Sequence, residues 1–439
     1  MTNATRVIRG LLSLIFASLV ASGPASGQAV VHEPGVVARF RALREEGVTA
    51  AKAGDLATAR ARLAAADQLV PNHPGLTLLR ARVEAASGDP DAALRLWDRY
   101  ARFGLVANPS ADPMMAGLVG TPAFEPIARR LAVNRQPVGQ LETLGLIDQP
   151  VIAENVVWDQ PRSRLLVSAI AGRTILQMDE VGVVSPYLWT DGPVAGILGM
   201  ALDIERGLLW ATASGLGFAG DLEPGLAGRS ELLKIELATG RVLARIQGPN
   251  ATPRSFGDVA VGLDGSAYVS DSRAGDVFRL PPSGNVLETL VPTGVLGSPQ
   301  GIVAAPDGRS LVVADYSSGL HAIDLSTLAV SAICAPDGES LLGIDALLQD
   351  GHDLIAVQNG VNPERVLRLQ VASDGLRVER VIVLAANLPE LDGAAGGSIS
   401  AGSLILVSRG QMAAFTETGN LVAGPPPPVI ISRLVLTPP

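Results

Sequence analysis

The sequence predicts a mainly β protein, a six-bladed β-propeller preceded by a small all-α domain, and three observations carry that prediction. Residues 259–272 and 302–316 repeat one design: an apolar strand, a tight turn carrying Asp-Gly, then a second apolar strand. Comparable turns fall near Arg162-Ser163, Gly207, Gly265, Gly308, Gly351 and Gly402, at spacings of about 44, 58, 43, 43 and 51 residues, which suit four-stranded units and count six of them. Between residues 35 and 135 the composition shifts instead to Ala, Leu and Arg, and a 34-residue period replaces the strand pattern.

In chain order, Arg6 and Arg9 precede an apolar run over 11–20 and small residues up to Gly27. This is the pattern of a secretory signal, so residues 1–27 are expected to be removed and the mature protein to lie in the periplasm or outside the cell. The run is too short to span a bilayer, and no later segment reaches about 18 uninterrupted apolar residues, so no stable membrane span is expected.

The helical stretch follows. Gly54-Asp55 recurs as Gly88-Asp89, Ala59 as Ala93 and Leu63 as Trp97, each after 34 residues, and Pro71 stands where a second helix should stop. The period resembles tetratricopeptide repeats, about two of them over residues 40–107, within a module spanning 35–135. Two repeats need covering at their ends; residues 124–131 are a candidate capping helix, and the propeller is a candidate neighbour. Such helices hold a peptide or partner protein, or simply dock on the propeller.

The propeller takes residues 140–439. Residues 175–178, 277–280, 320–325 and 366–369 alternate apolar side chains as half-buried outer strands should. Residues 140–146 and 429–436 are both strand-like, and either can close the ring and remove its exposed edges. The second unit is the longest because the glycine-rich segment 215–228 interrupts it, which reads as a mobile loop on one rim.

Composition narrows the function. The chain of 439 residues is 47% hydrophobic with a formal net charge of -9, without a basic stripe, and is a poor nucleic-acid binder. Cys334 is the only cysteine, so no internal disulfide exists, and its strand-end setting favours a small buried hydrophobe over a nucleophile. His32, His73, His321 and His352 are scattered without zinc spacing or a serine partner, which argues against a zinc enzyme or a triad hydrolase. Residues 215–220 match the dinucleotide fingerprint letter by letter, but Pro224 and further glycines replace the helix that the motif requires.

Chemistry in a propeller belongs where innermost strands begin, because their starts line the central channel. The residues there are Glu154, Gly199, Gly257-Asp258, Gln300 and Asp345. Three carboxylates and an amide converging on one mouth suit a hard divalent cation, most simply calcium, which takes oxygen ligands from several elements.

These pieces resemble the SMP-30/gluconolactonase/LRE-like family of six-bladed propellers. The resemblance covers residues 150 to about 420 and rests on 154–159, 256–261, 298–302 with 306–308, and 343–347. It implies a channel cation held by a glutamate, an asparagine and an aspartate, the aspartate also transferring a proton. Carried over, the metal ligands are Glu154, Gln300 in place of the asparagine, and Asp345, with Asp345 also catalytic. Asp258 stands where the family often has a substrate-contacting asparagine, and Arg254 is a candidate to orient an acidic substrate group. Asp345 lies five residues before the turn Asp350-Gly351 while Gln300 lies seven before Asp307-Gly308, so the two match only if strand register absorbs the difference. The resemblance implies metal-assisted hydrolysis of a lactone or similar ester, with a small oxygen-rich ligand. The competing class is a non-catalytic periplasmic interaction or ligand-binding protein that uses the helices and the propeller rim.

Overall fold

The computed structural model describes residues 35–249 and 252–436. The expected signal segment lies outside them. Five helices come first: α1 (Val36–Lys52), α2 (Leu56–Leu69), α3 (Pro74–Ala86), α4 (Pro90–Arg102) and α5 (Glu125–Val133). The 34-residue period is a repeated turn. Gly54 and Gly88 both hold positive φ, +81° and +78°, and the aspartate after each caps the next helix by accepting a backbone N–H, from Thr58 and Ala92. His73 does the same for α3 through Nδ1, ahead of a proline at the first helical position.

The rest is a six-bladed β-propeller, six four-stranded antiparallel sheets around one axis. Each blade's first hairpin turns on a residue in the left-handed region: Ser163, Gly207, Gly265, Gly308, Gly351 and Gly402. Glycine takes that conformation without steric cost, which is why five of the six turns carry it. Both strands expected to close the ring do so. Blade six is ordered Gly397–Ser400, Ser403–Arg409, Val429–Val435 and Glu142–Ile147, so the first strand of the propeller is the outermost strand of its last blade.

Six apolar clusters lie at the six blade interfaces. Within one strand of blade one, Leu165 and Val167 pack toward blade six while Leu166 packs toward blade two. Successive side chains point to opposite faces and both faces are covered, so these strands read as continuous apolar runs. The repeated Asp271 and Asp315 have one task. Each ends a second strand and accepts backbone N–H groups from its own loop and from the start of the innermost strand, at Ser255 and Ser298 respectively.

The helices sit on the rim where innermost strands begin, over blades four and five. Gly35 N donates to Gly294 O, Val106 N to Asn362 O, and the buried Arg365 guanidinium to Phe103 O at 2.8 Å. Leu342 and Val361 of the propeller complete the helical cores. Segment 215–228 lies on the same rim across the axis, and its first half is anchored there: Leu216, Phe218, Ala219 and Leu222 join Ile152, Ile170, Leu198 and Phe415 in one cluster, while most of 223–228 is exposed. Cys334 departs from expectation. It is exposed, because its strand-end backbone is bridged to Arg377 of blade five and its side chain faces outward. Among the described residues no helix is long and apolar enough to cross a membrane.

Candidate functional site

Five of the six innermost strands carry the same irregularity at the same place. One extra residue bulges between Ala153 and Val156, Ile197 and Met200, Phe256 and Val259, Pro299 and Ile302, and Ile344 and Ala346. Aligned on these bulges, Glu154, Leu198, Gly257, Gln300 and Asp345 occupy one level of the channel. Asn155, Gly199, Asp258, Gly301 and Ala346 occupy the next. The unequal distances of Gln300 and Asp345 from their turns are thus absorbed by hairpin length, and the two residues are equivalent in register. Asp258 sits one level deeper than Glu154.

In three blades a hydroxyl on the second strand fills the bulge. Ser168, Thr212 and Ser270 accept the backbone N–H of Asn155, Gly199 and Asp258 at 2.9, 2.9 and 3.0 Å. Two of them also donate to the next blade, Thr212 to Gly257 O at 3.1 Å and Ser270 to Gln300 O at 2.6 Å. Sequence reasoning passed over these residues, although a small hydroxyl near the end of a largely apolar second strand was their visible signal. Gly199 matters here because a Cβ on it would lie 2.5 Å from Asp258 Oδ1. Its bareness lets Asp258 reach across, accepting N–H groups from Val259 at 2.9 Å and Ile302 at 3.3 Å.

Glu154, Asp258 and Asp345 act on one another electrically. Each keeps some exposure to the channel, yet loss of water is the first influence on each. Glu154 is pushed up to about 8, by desolvation and then by Asp345 and Asp258. Asp258 is pushed up to about 7, mainly by desolvation and further by Asp345, against the pull of its two backbone amides. Asp345 is also raised by desolvation, against the Asn359 Nδ2 hydrogen bond to its Oδ2 at 2.7 Å. No arginine or lysine contributes to any of these three balances.

A second set of groups surrounds them. Tyr316 Oη donates to Asn359 Oδ1 at 3.2 Å, and its own ionisation is raised by desolvation and by Asp345, Glu364 and Glu154. Tyr316 and Asn359 both follow the end of a second strand, the position beside the strand starts on the same rim. Gln300 donates from Nε2 to Ser298 Oγ at 3.3 Å, and its Oε1 lies over Gly257, 3.2 Å from where a Cβ would stand. Arg254 is not part of this cluster. It is buried against Phe278 and pairs with Asp271 at 2.9 Å and with Asp276, so the guanidinium expected to orient a substrate braces blade three instead.

No protein-family model matches the chain, and no curated protein matches it. Among solved structures it is similar to a gluconolactonase from Xanthomonas campestris, with 19% identity over 67% of this chain and 94% of that one and a TM-score of 0.47. It is also similar to an aldose sugar dehydrogenase from Streptomyces coelicolor (14% identity, 68% and 99% covered, TM-score 0.46). A virginiamycin B lyase from Staphylococcus aureus stands alike (14%, 67% and 99%, 0.44). The three differ in chemistry.

Proposed function

We propose that the mouth of the channel at the strand starts binds a divalent cation, most simply calcium, and hydrolyses a small lactone or similar ester. The observation that carries the reading is the pair Glu154 and Asp345. They come from blades one and five, occupy one level of the channel by register, and raise the proton affinity of the site with no basic side chain to offset them. Like charges enclosed together favour either protonation or a bound cation.

Among the described residues no group of three or more His, Cys, Asp or Glu side chains is arranged to hold a metal ion. A third oxygen therefore has to come from an amide, and Gln300 stands at the same level with its nitrogen already committed to Ser298. Glu154, Gln300 and Asp345 would hold the ion, an all-oxygen set of the kind calcium takes. When bound, such an ion polarises a carbonyl and offsets negative charge growing on its oxygen.

The side chains of this protein supply the rest. Asp345 takes a proton from the attacking water as the general base. Asn359 holds one oxygen of Asp345 so that the other faces the channel, and neutral Tyr316 fixes the orientation of Asn359. Asp258, one level deeper, forms the floor on which a substrate rests. The helices over blades four and five and segment 215–228 wall the mouth on two sides and limit water.

The test compares mature protein with Glu154→Ala by metal analysis after calcium loading and dialysis, then by turnover of a lactone panel. Stoichiometric calcium in the first and none in the second, with turnover only where calcium is bound, is the expected result. No calcium in either protein refutes the site. Calcium without turnover refutes the hydrolase and leaves the non-catalytic ligand-binding reading, which the substitution of Gln300 for the family's asparagine favours.

A further inference from the structure

The loop between the second and third strands of blade five, residues 359–364, is held from two sides. On the side of the helices, Val106 N donates to Asn362 O at 2.6 Å and Asn362 Nδ2 donates to Val106 O at 3.1 Å. Val361 packs against the apolar core of α4 and α5. At the end of the loop Arg365, 2% exposed, donates from Nη1 to Phe103 O at 2.8 Å and from Nε to Gln358 Oε1 at 2.6 Å.

On the channel side the same stretch reaches Asp345 by two routes. Gln358 is fully buried and donates from Nε2 to Ser340 O at 2.9 Å and Leu342 O at 2.7 Å, so it clamps the residues that lead into Gly343 and Asp345. Glu364 accepts the N–H groups of Gly393 and Ala394 at 2.9 and 2.8 Å, and the carbonyl of Ala394 accepts one N–H of Asn359 at 2.9 Å. The other N–H of Asn359 is on Asp345 and its Oδ1 is taken by Tyr316, so the amide has one orientation open to it. Hydrogen bonds and short stretches of backbone thus run without a gap from the end of α4 to the Asp345 carboxyl.

We propose that the helices are a working part of the channel site: through residues 358–365 they fix the direction in which Asp345 faces, which makes Arg365 and Glu364 positioning residues. The inference rests on the reading of Asp345 as ligand and base. Partners that orient a ligand in this way are worth about ten- to a hundredfold in metal affinity.

Two glycines among the helices give a matched test. Gly104 and Gly88 both hold positive φ, +72° and +78°, so alanine strains the backbone alike at each. A Cβ on Gly104 would stand 2.8 Å from Arg365 Nη1, whereas a Cβ on Gly88 meets nothing within 4 Å. In hydrogen–deuterium exchange of the full mature chain, the peptide containing residues 393–394 should exchange about tenfold faster in Gly104→Ala than in wild type, and at the wild-type rate in Gly88→Ala. Calcium titration should find Gly104→Ala about tenfold weaker than wild type and Gly88→Ala unchanged. Arg365→Met should also bind calcium more weakly, although loss of a positive charge would by itself strengthen the binding of a cation. Equal exchange at 393–394 in the two alanine variants overturns the proposal whether or not wild type binds calcium. Calcium affinity that is unchanged in Gly104→Ala, or raised in Arg365→Met as charge alone would give, overturns it as well. Faster exchange in Gly104→Ala alone, with a wild type that binds no calcium, supports the hold of the helices on Asp345 and refutes only the cation reading.

Discussion

Glu154→Gln removes one titrating carboxyl from the channel with little change of shape, and its consequence can be worked out. In cation-free protein Glu154 titrates near 8 against an ordinary 4.5, because it has lost water and faces Asp345 and Asp258. The folded chain therefore holds a proton that the unfolded chain has released. Stability from this group is complete below pH 4.5 and is lost as pH rises through 8. At about 1.4 kcal/mol for each pH unit of that interval, the loss is on the order of 5 kcal/mol. Urea denaturation of EDTA-treated wild type and variant from pH 5 to pH 9 reads it directly. The two should be similar near pH 5, and the variant should become the more stable by pH 9. Calcium should restore wild type at high pH and do little for the variant. A difference that stays below about 1 kcal/mol across the range would refute the idea of an enclosed, uncompensated carboxyl, and the argument for a cation would go with it.

Three further outcomes follow from the packing. Arg254→Met strands Asp271 and Asp276 without their partner, and a fall of about 3–5 kcal/mol in urea-measured stability is expected, with calcium content preserved. Gly199→Ala drives a methyl group against Asp258, so a loss of about 1–3 kcal/mol in urea-measured stability is expected from overpacking. Arg365→Met removes the donors to Phe103 O and Gln358 Oε1 that fasten the helices to blade five. Limited proteolysis should then cut more rapidly between α4 and the first propeller strand, while the blades themselves remain resistant.

Much of the fold was legible because its causes are local. A residue with positive φ between two apolar runs needs only its neighbours to specify a hairpin, and all six such turns were visible in the letters of the chain. The same holds for Gly54-Asp55 and Gly88-Asp89, where a glycine ends one helix and an aspartate begins the next. Glu154, Gln300 and Asp345 could be picked out because each stands at the start of an innermost strand. Cys334 was misjudged and the anchoring of residues 216–222 was missed for a shared reason: whether a side chain is covered depends on which distant segment lies beside it. Phe415 and Ile170 cover the loop, and nothing covers the cysteine.

Strand order, blade number and the rim on which acidic groups gather were therefore present in the linear pattern of turns and apolar runs. The level at which each group enters the channel was not. It depends on bulges pinned by Ser168, Thr212 and Ser270, whose hydroxyls bond across a strand pair and, for the last two, into the next blade. Such bonds join residues 13 to 45 positions apart and leave no periodic trace in the chain. They separate Asp258 from Glu154 and Asp345 by one level of the channel. The fate of Arg254 was hidden in the same way, because only the folded blade brings Asp271 and Asp276 to either side of its guanidinium.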